Sequence, residues 1–298
     1  MVLMAVLGVL LLVGIALTAR WNGTAYEAWD READGDPPSV KATALHYLRG
    51  VAVALVGGFW AGALVTGPAM RLIMRLLAAT AGDDAQGVIT EAEEVVGEID
   101  LGGTLGLYVF GGILPGLASG ALYVVFRRWL PGGRLAGVAF GLLHLVFGAT
   151  RLDPLRPGNV DFDIVGPGWL SVLTFSLASI LHGMAVVAIA NRYSRRFPPK
   201  EATRATRVRA VLPLVLPALM LVAAVFFLML VVVGLAITIV ATRVRPLVAA
   251  VRSRTTLLAG RIALAALALV LVPYTIVDLR DVVVRDSPAE AADRAADE

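Results

Sequence analysis

The chain has 298 residues, a formal net charge of +3, 58% hydrophobic and 16% charged residues, and a mean hydropathy of +0.79. A soluble globular chain is nearer a quarter charged, so a water-soluble domain is excluded. The bases flank apolar runs and orient helices, which speaks against a nucleic-acid partner. Without cysteine there is no disulfide, thiolate nucleophile or Cys-ligated metal.

A helix rises about 1.5 Å per residue, so about 20 apolar residues cross a hydrocarbon core of roughly 30 Å. Apolar runs at 2–19, 50–70, 101–126, 135–150, 169–191, 210–242 and 255–277 predict an all-α, polytopic transmembrane helical bundle of about seven spans. In chain order, 1–49 is an N-terminal anchor helix with a cytoplasmic loop. Residues 50–196 form a glycine-rich transmembrane core, 197–279 the C-terminal transmembrane helices, and 280–298 a charged tail, frayed from Asp278 onward. No Lys or Arg precedes Arg20, so the first run reads as an uncleaved anchor rather than a signal peptide. Trp21, Trp29, Trp129 and Trp169 sit at span ends, where an aromatic belt belongs.

Gly58-x3-Gly62, Gly112-x3-Gly116-x3-Gly120 and Gly137-x3-Gly141 place small residues one turn apart on three consecutive spans. Such stripes let helix backbones approach closely. The spans at 210–242 and 255–277 are rich in Leu, Val and Ala with almost no glycine, and are expected to be peripheral. A membrane-protein partner, or self-association through the glycine-rich or C-terminal spans, follows from this contrast. The lipid bilayer is the partner common to all of them.

The loop 79–100 carries seven acids and no base. Thr90 and Glu93 fit a capping box, with Ile89, Ala92, Val95, Val96 and Ile99 on one face, which predicts a short surface helix. Arg192, Arg195, Arg196, Lys200, Arg204, Arg207 and Arg209 make 192–209 cytoplasmic. Loops 127–134 and 20–49 then share that side, and the N-terminus lies outside. The run 210–242 is 33 residues long, about 50 Å as one helix. A single crossing kinked near Pro213 and Pro217 is favoured. It leaves Arg243, Arg245, Arg252, Arg254 and Arg261 outside, against the charge rule; a tight hairpin would keep them inside. Only Lys41 and Lys200 are lysine. That bias, with abundant Ala, Gly and Val, points to a GC-rich bacterial genome and hence a bacterial plasma membrane. Both lysines fall in loops, which excludes a retinal Schiff base.

Arg71 and Arg75 follow Gly67-Pro68 at the outer end of the second span. Intramembrane cations are expensive, so they read as an anion or lipid-headgroup site, or as partners of the acidic loop. His144 and His182 lie on adjacent spans and invite a haem or metal reading. By helical rise His144 is roughly 9 Å and His182 roughly 21 Å below the outer end, too far apart for one haem. A backbone carbonyl, or Ser171, Ser176 or Ser179, is the expected partner of such a histidine. No cofactor is expected. Asp153, Asp161 and Asp163 are expected to pair with Arg151 or Arg156 rather than to hold a metal.

Phe140-x3-His144 with His182 is similar to the second and third motifs of the CPBP-type intramembrane metalloproteases. That family's first motif, Glu-Glu-x3-Arg, meets Glu93-Glu94 here with Glu98 in place of the arginine, and Val186 stands where its third motif has Asn or Asp. Tyr123-x3-Arg-Arg-Trp-Leu-Pro131 and Asp161-Phe-x3-Gly-Pro-x-Trp-Leu170 resemble uncharacterised actinobacterial-type multi-pass membrane proteins. That resemblance covers roughly 50–196 and implies a shared membrane fold.

There is no Walker loop or dinucleotide fingerprint, and no span contains Asp or Glu. The expected function is a non-catalytic scaffold or accessory subunit. A transporter, channel or lipid-handling protein with Arg71 and Arg75 at its mouth is the alternative. An intramembrane hydrolase using His144 and His182 comes third.

Overall fold

The computed structural model describes residues 1–27, 39–156, 158–196, 203–223 and 225–284. Apart from one antiparallel bridge between Ile89 and Val95, these residues form no strand. Helix α1 spans Val2–Trp21. Helix α2 (Val40–Ala61) continues through a π-helical turn at Gly62–Thr66 into α3 (Gly67–Thr80). Helix α4 (Leu101–Gly106) passes through a π turn at Leu107–Ile113 into α5 (Leu114–Phe126). Helix α6 (Leu135–Leu143) ends in a third π turn, His144–Ala149, and α7 is Gly168–Ser194. Then follow α8 (Arg204–Val211), α9 (Val215–Ala223), α10 (Val225–Ala241), α11 (Arg245–Arg252) and α12 (Arg254–Val283).

Five of these helical runs are long and apolar enough to cross a membrane: Val2–Trp21, Val40–Thr80, Leu101–Phe126, Gly168–Ser194 and Arg254–Val283. Leu135–Ala149 and Leu228–Ala241 are apolar but shorter. The first two π turns each end just before a proline, Pro68 and Pro115. A proline ring clashes with the carbonyl four residues back and supplies no N–H, and a widened turn accommodates both defects.

The glycine stripes lie against one another. A Cβ on Gly58 would run into Gly116 O, one on Gly62 into Gly112 O, and one on Gly120 into Ala54 O. Gly141 meets Ile180 and Gly183 of α7, Gly137 meets Met184, and Gly57 meets Ala190. Helices α2, α5, α6 and α7 therefore pack backbone to backbone around Val53, Val56, Phe140, Ala185, Val186 and Ala190.

One end of the bundle is tied by arginine. Arg49 Nη2 donates to Glu27 O (2.6 Å) and to Ser194 O (2.8 Å), and Arg127 stacks 3.7 Å from the centre of the Tyr26 ring. Asn191 donates to Thr24 O (2.8 Å) while accepting from Tyr123 (2.5 Å). The segment after α1 is thus fastened under α7. The boundary drawn at 49/50 falls inside α2, which starts at Val40 and takes Lys41 into its first turn. Trp29 and Lys200 lie outside the described residues.

Three expectations are corrected. Residues 89–99 of the acidic loop form no helix, its one helical turn being a 3-10 turn at Asp83–Ala85: Thr90 N–H donates to Glu94 O (2.8 Å), Val96 N–H to Val88 O (2.9 Å), and Glu93 sits at φ 60. Gly87 and Gly97, at φ 83 and 92, let the chain fold back on itself, and an isolated helix this short is unstable in water. Second, the run 210–242 does not carry the basic stretch 243–261 to the far end of the bundle. Trp60 Nε1 donates to Pro213 O (2.9 Å) and Tyr47 to Val231 O (3.0 Å), so the chain from Pro213 to Val231 runs back along α2. Gly260 then lies against Trp129, which sets the basic stretch 243–261 at the same end as loop 127–134. Third, the chain is not frayed from Asp278: α12 continues to Val283, Gly168 abuts Val282, and Arg151 Nη1 approaches Asp278 Oδ2 to 2.7 Å. That last approach is a charge contact rather than an aligned hydrogen bond. Residues 285–298 lie outside the described residues.

Candidate functional site

His144 and His182 meet. Their ring centroids are 5.0 Å apart at an interplanar angle of 74°, which overturns the separation in depth expected from helical rise. Counting from a shared outer loop assumed that both helices end level. Loop 150–167 instead folds over a short α6, whereas α7 starts further out and packs its first turn on Val282.

Ser119 of α5 joins the two rings. Its Oγ lies 2.6 Å from His144 Nε2 and 2.9 Å from His182 Nε2. Thr66, the last residue of the first π turn, places Oγ1 2.5 Å from His182 Nδ1, and His144 Nδ1 is 2.9 Å from Phe140 O. The proton positions follow from the end of the chain. A carbonyl only accepts, so His144 Nδ1 carries a proton. A neutral ring costs less to bury than a charged one, which leaves Nε2 as acceptor. Ser119 then donates to His144, accepts from His182 Nε2–H, and Thr66 donates to His182 Nδ1. His182, Ser119 and His144 each donate once and accept once, and the chain links four helical segments. Pro115 O, 2.7 Å from Ser119 Oγ, competes for the serine proton.

A backbone carbonyl does partner His144, as expected, and a serine partners both rings, but it is Ser119 rather than one of the serines of α7. Ser179 bonds Phe175 O of its own helix (2.8 Å), and Ser171 and Ser176 have buried hydroxyls without a hydrogen-bond partner. Ser119 neighbours Gly120 of the long glycine stripe, and Thr66 precedes Gly67-Pro68. A hydroxyl beside a close-packing position was the available signal. As a catalytic centre the arrangement has a serine within reach of a base but no third, orienting carboxylate. Ser119 and His182 are 4% exposed. Both Nε2 atoms converge on the space that Ser119 Oγ fills, so a metal or a haem iron has no room between them. Glu93 and Glu94 lie in the acidic loop, where Glu94 abuts Gly103.

Arg71 and Arg75 face that same loop. Arg75 Nη1 donates to Gly97 O (2.9 Å), while Arg71 Nε and Nη2 are buried without a hydrogen-bond partner. With Thr90, Glu94 and Glu98 they line a cleft of about 40 Å³, room for a few waters. In the neighbouring loop Arg156 pairs with Glu91 and reaches Asp153 (3.8 Å). Asp161 instead accepts from the Glu91 N–H (2.8 Å). Desolvation pushes the Asp153 carboxyl up, and the Gly103 N–H holds that of Asp100 down.

A larger cleft of about 550 Å³ opens at the arginine-tied end, between α1, α2, α7 and α9. Leu17, Leu64 and Val56 line its inner part, and Trp21, Trp60, Arg192 and Arg196 its other end. No residue of the His144–His182 chain lines either cleft. No family model, curated protein or solved structure matches this chain.

Proposed function

We propose that this chain is an integral protein of a bacterial plasma membrane and serves there as a non-catalytic scaffold or accessory subunit. The observation that carries this reading is the closure of the buried polar chain. The histidines, serine and threonine with the chemistry for catalysis or ligation spend their donors and acceptors on one another, across helices packed at glycine contacts. Such a chain fixes the register of helices in a bilayer, where polar groups have few other partners.

In this reading N-terminus and acidic loop are outside and the basic loops are cytoplasmic. Helices α1, α2–α3, α4–α5, α6, α7 and α12 cross, while the apolar run after Pro213 returns along α2 without crossing. All the arginine-rich connections then share one side, as the charge rule prefers. The mainly exposed faces of α1 and α12 are available to a partner. Purification from the native membrane in mild detergent tests the assignment: a second protein at fixed stoichiometry is expected. A chain recovered alone would overturn it in favour of lipid handling, the alternative that the 550 Å³ cleft supports.

A further inference from the structure

The large cleft is polar at one end only. Along α2 it reaches from Val56 to Leu64, roughly 12 Å by helical rise. Gly57 packs on Ala190 and Gly14 on Leu64, so Leu17 and Leu64 lie at the end away from Arg192 and Arg196. Two polar tips of its aromatic walls are already used: Trp60 donates to Pro213 O and Tyr193 to Ala210 O (2.8 Å). The guanidiniums are the charged donors that remain. Arg192 Nε is buried with no hydrogen-bond partner, Arg196 rests 6.0 Å from the centre of the Trp21 ring, and among the described residues neither forms an ion pair. The volume lies within the roughly 300–1,000 Å³ typical of small-molecule pockets.

We propose that this cleft holds one anionic glycerophospholipid of the surrounding bilayer, with its phosphate on Arg192 and Arg196 and an acyl chain running toward Leu17 and Leu64. Guanidinium pairs suit phosphate oxygens through several aligned donors, and basic pockets between helices select anionic headgroups. A zwitterionic lipid would bring an ammonium group to two arginines, with no acidic side chain among the described residues lining the cleft to receive it. The site stands whether or not the protein is a scaffold.

The test is native mass spectrometry of the full chain released from nanodiscs of mixed phosphatidylglycerol and phosphatidylcholine. One retained phosphatidylglycerol per chain is expected, with its preference over phosphatidylcholine falling about thirty-fold in the Arg192→Gln/Arg196→Gln double variant and unchanged in Arg254→Gln. Leu64→Trp, which fills the apolar end and leaves both arginines, should also release the lipid while keeping a helical circular dichroism spectrum. Equal retention of the two lipids by the wild type would overturn the proposal, as would a preference surviving in either variant. So would a double variant that loses as much thermal stability in phosphatidylcholine alone as in the mixture, since the arginines would then serve an internal partner.

Discussion

Ser119 has one proton and two acceptors within 2.7 Å, His144 Nε2 and Pro115 O, and its oxygen accepts the His182 Nε2–H at 2.9 Å. Removing its hydroxyl strands the Nε2–H of His182 in the bundle interior. Ser119→Ala should therefore cost about 1–2 kcal/mol, within the range for interhelical hydrogen bonds. Ser179→Ala, which loses only a bond to its own helix, should cost clearly less; thermal unfolding of the purified protein compares them. At the N-terminus of α4 the Asp100 carboxylate accepts the Gly103 N–H at 2.8 Å and is held below its usual range by it. The folded value is depressed, so this cap stabilises above the unfolded carboxyl pKa and is lost as pH falls through the folded one. The protection factor of the Gly103 amide, taken against its intrinsic exchange rate at each pH, should fall on acidification in the wild type and stay flat in Asp100→Asn, which caps without titrating. Residue types were readable in the sequence, whereas the pairing of His144 with His182 was not. Helical periodicity gives the face a side chain occupies but not the height at which its neighbour ends.

Helix packing was more legible than helix shape. Gly58, Gly62, Gly112, Gly116 and Gly120 stood out by spacing alone, and the structure sets them in contact between α2 and α5. Gly116→Ala would push a methyl into the Gly58 carbonyl, where backbone cannot yield cheaply. A loss of about 1–3 kcal/mol is expected from such overpacking. A Cβ on Gly8 of α1 meets nothing within 4 Å, so Gly8→Ala should leave the melting temperature unchanged; circular dichroism melts would separate the two. The π turns at Gly62–Thr66 and Leu107–Ile113 escaped notice because Pro68 and Pro115 mark a defect without saying how the helix absorbs it. The acidic loop misled for a different reason. Its capping-box spacing was real, but the Thr90 hydroxyl bonds the Glu94 backbone rather than the Glu93 N–H, and the glycines at 87 and 97 close a hairpin.

At the scale of the molecule, five apolar helices of membrane length account for most of the bundle. The order of the apolar helices was legible up to Ser194. Beyond it the 33 uncharged residues between Arg209 and Arg243 had no internal mark of a turn, and only contacts with Trp60 and Tyr47 reveal that they return along α2. Helix α12 then runs from Trp129 at the basic end to Gly168 and Arg151 at the other. Because the chain has no cysteine, single cysteines report this arrangement without background. Thr255→Cys in the first turn of α12 and Val284→Cys just past its last residue mark its two ends, and labelling them in intact cells with a membrane-impermeant maleimide is the most direct test of the account. Val284→Cys should react at once and Thr255→Cys only after permeabilisation; the reverse pattern would contradict the fold of the C-terminal third and restore a full crossing by residues 210–242.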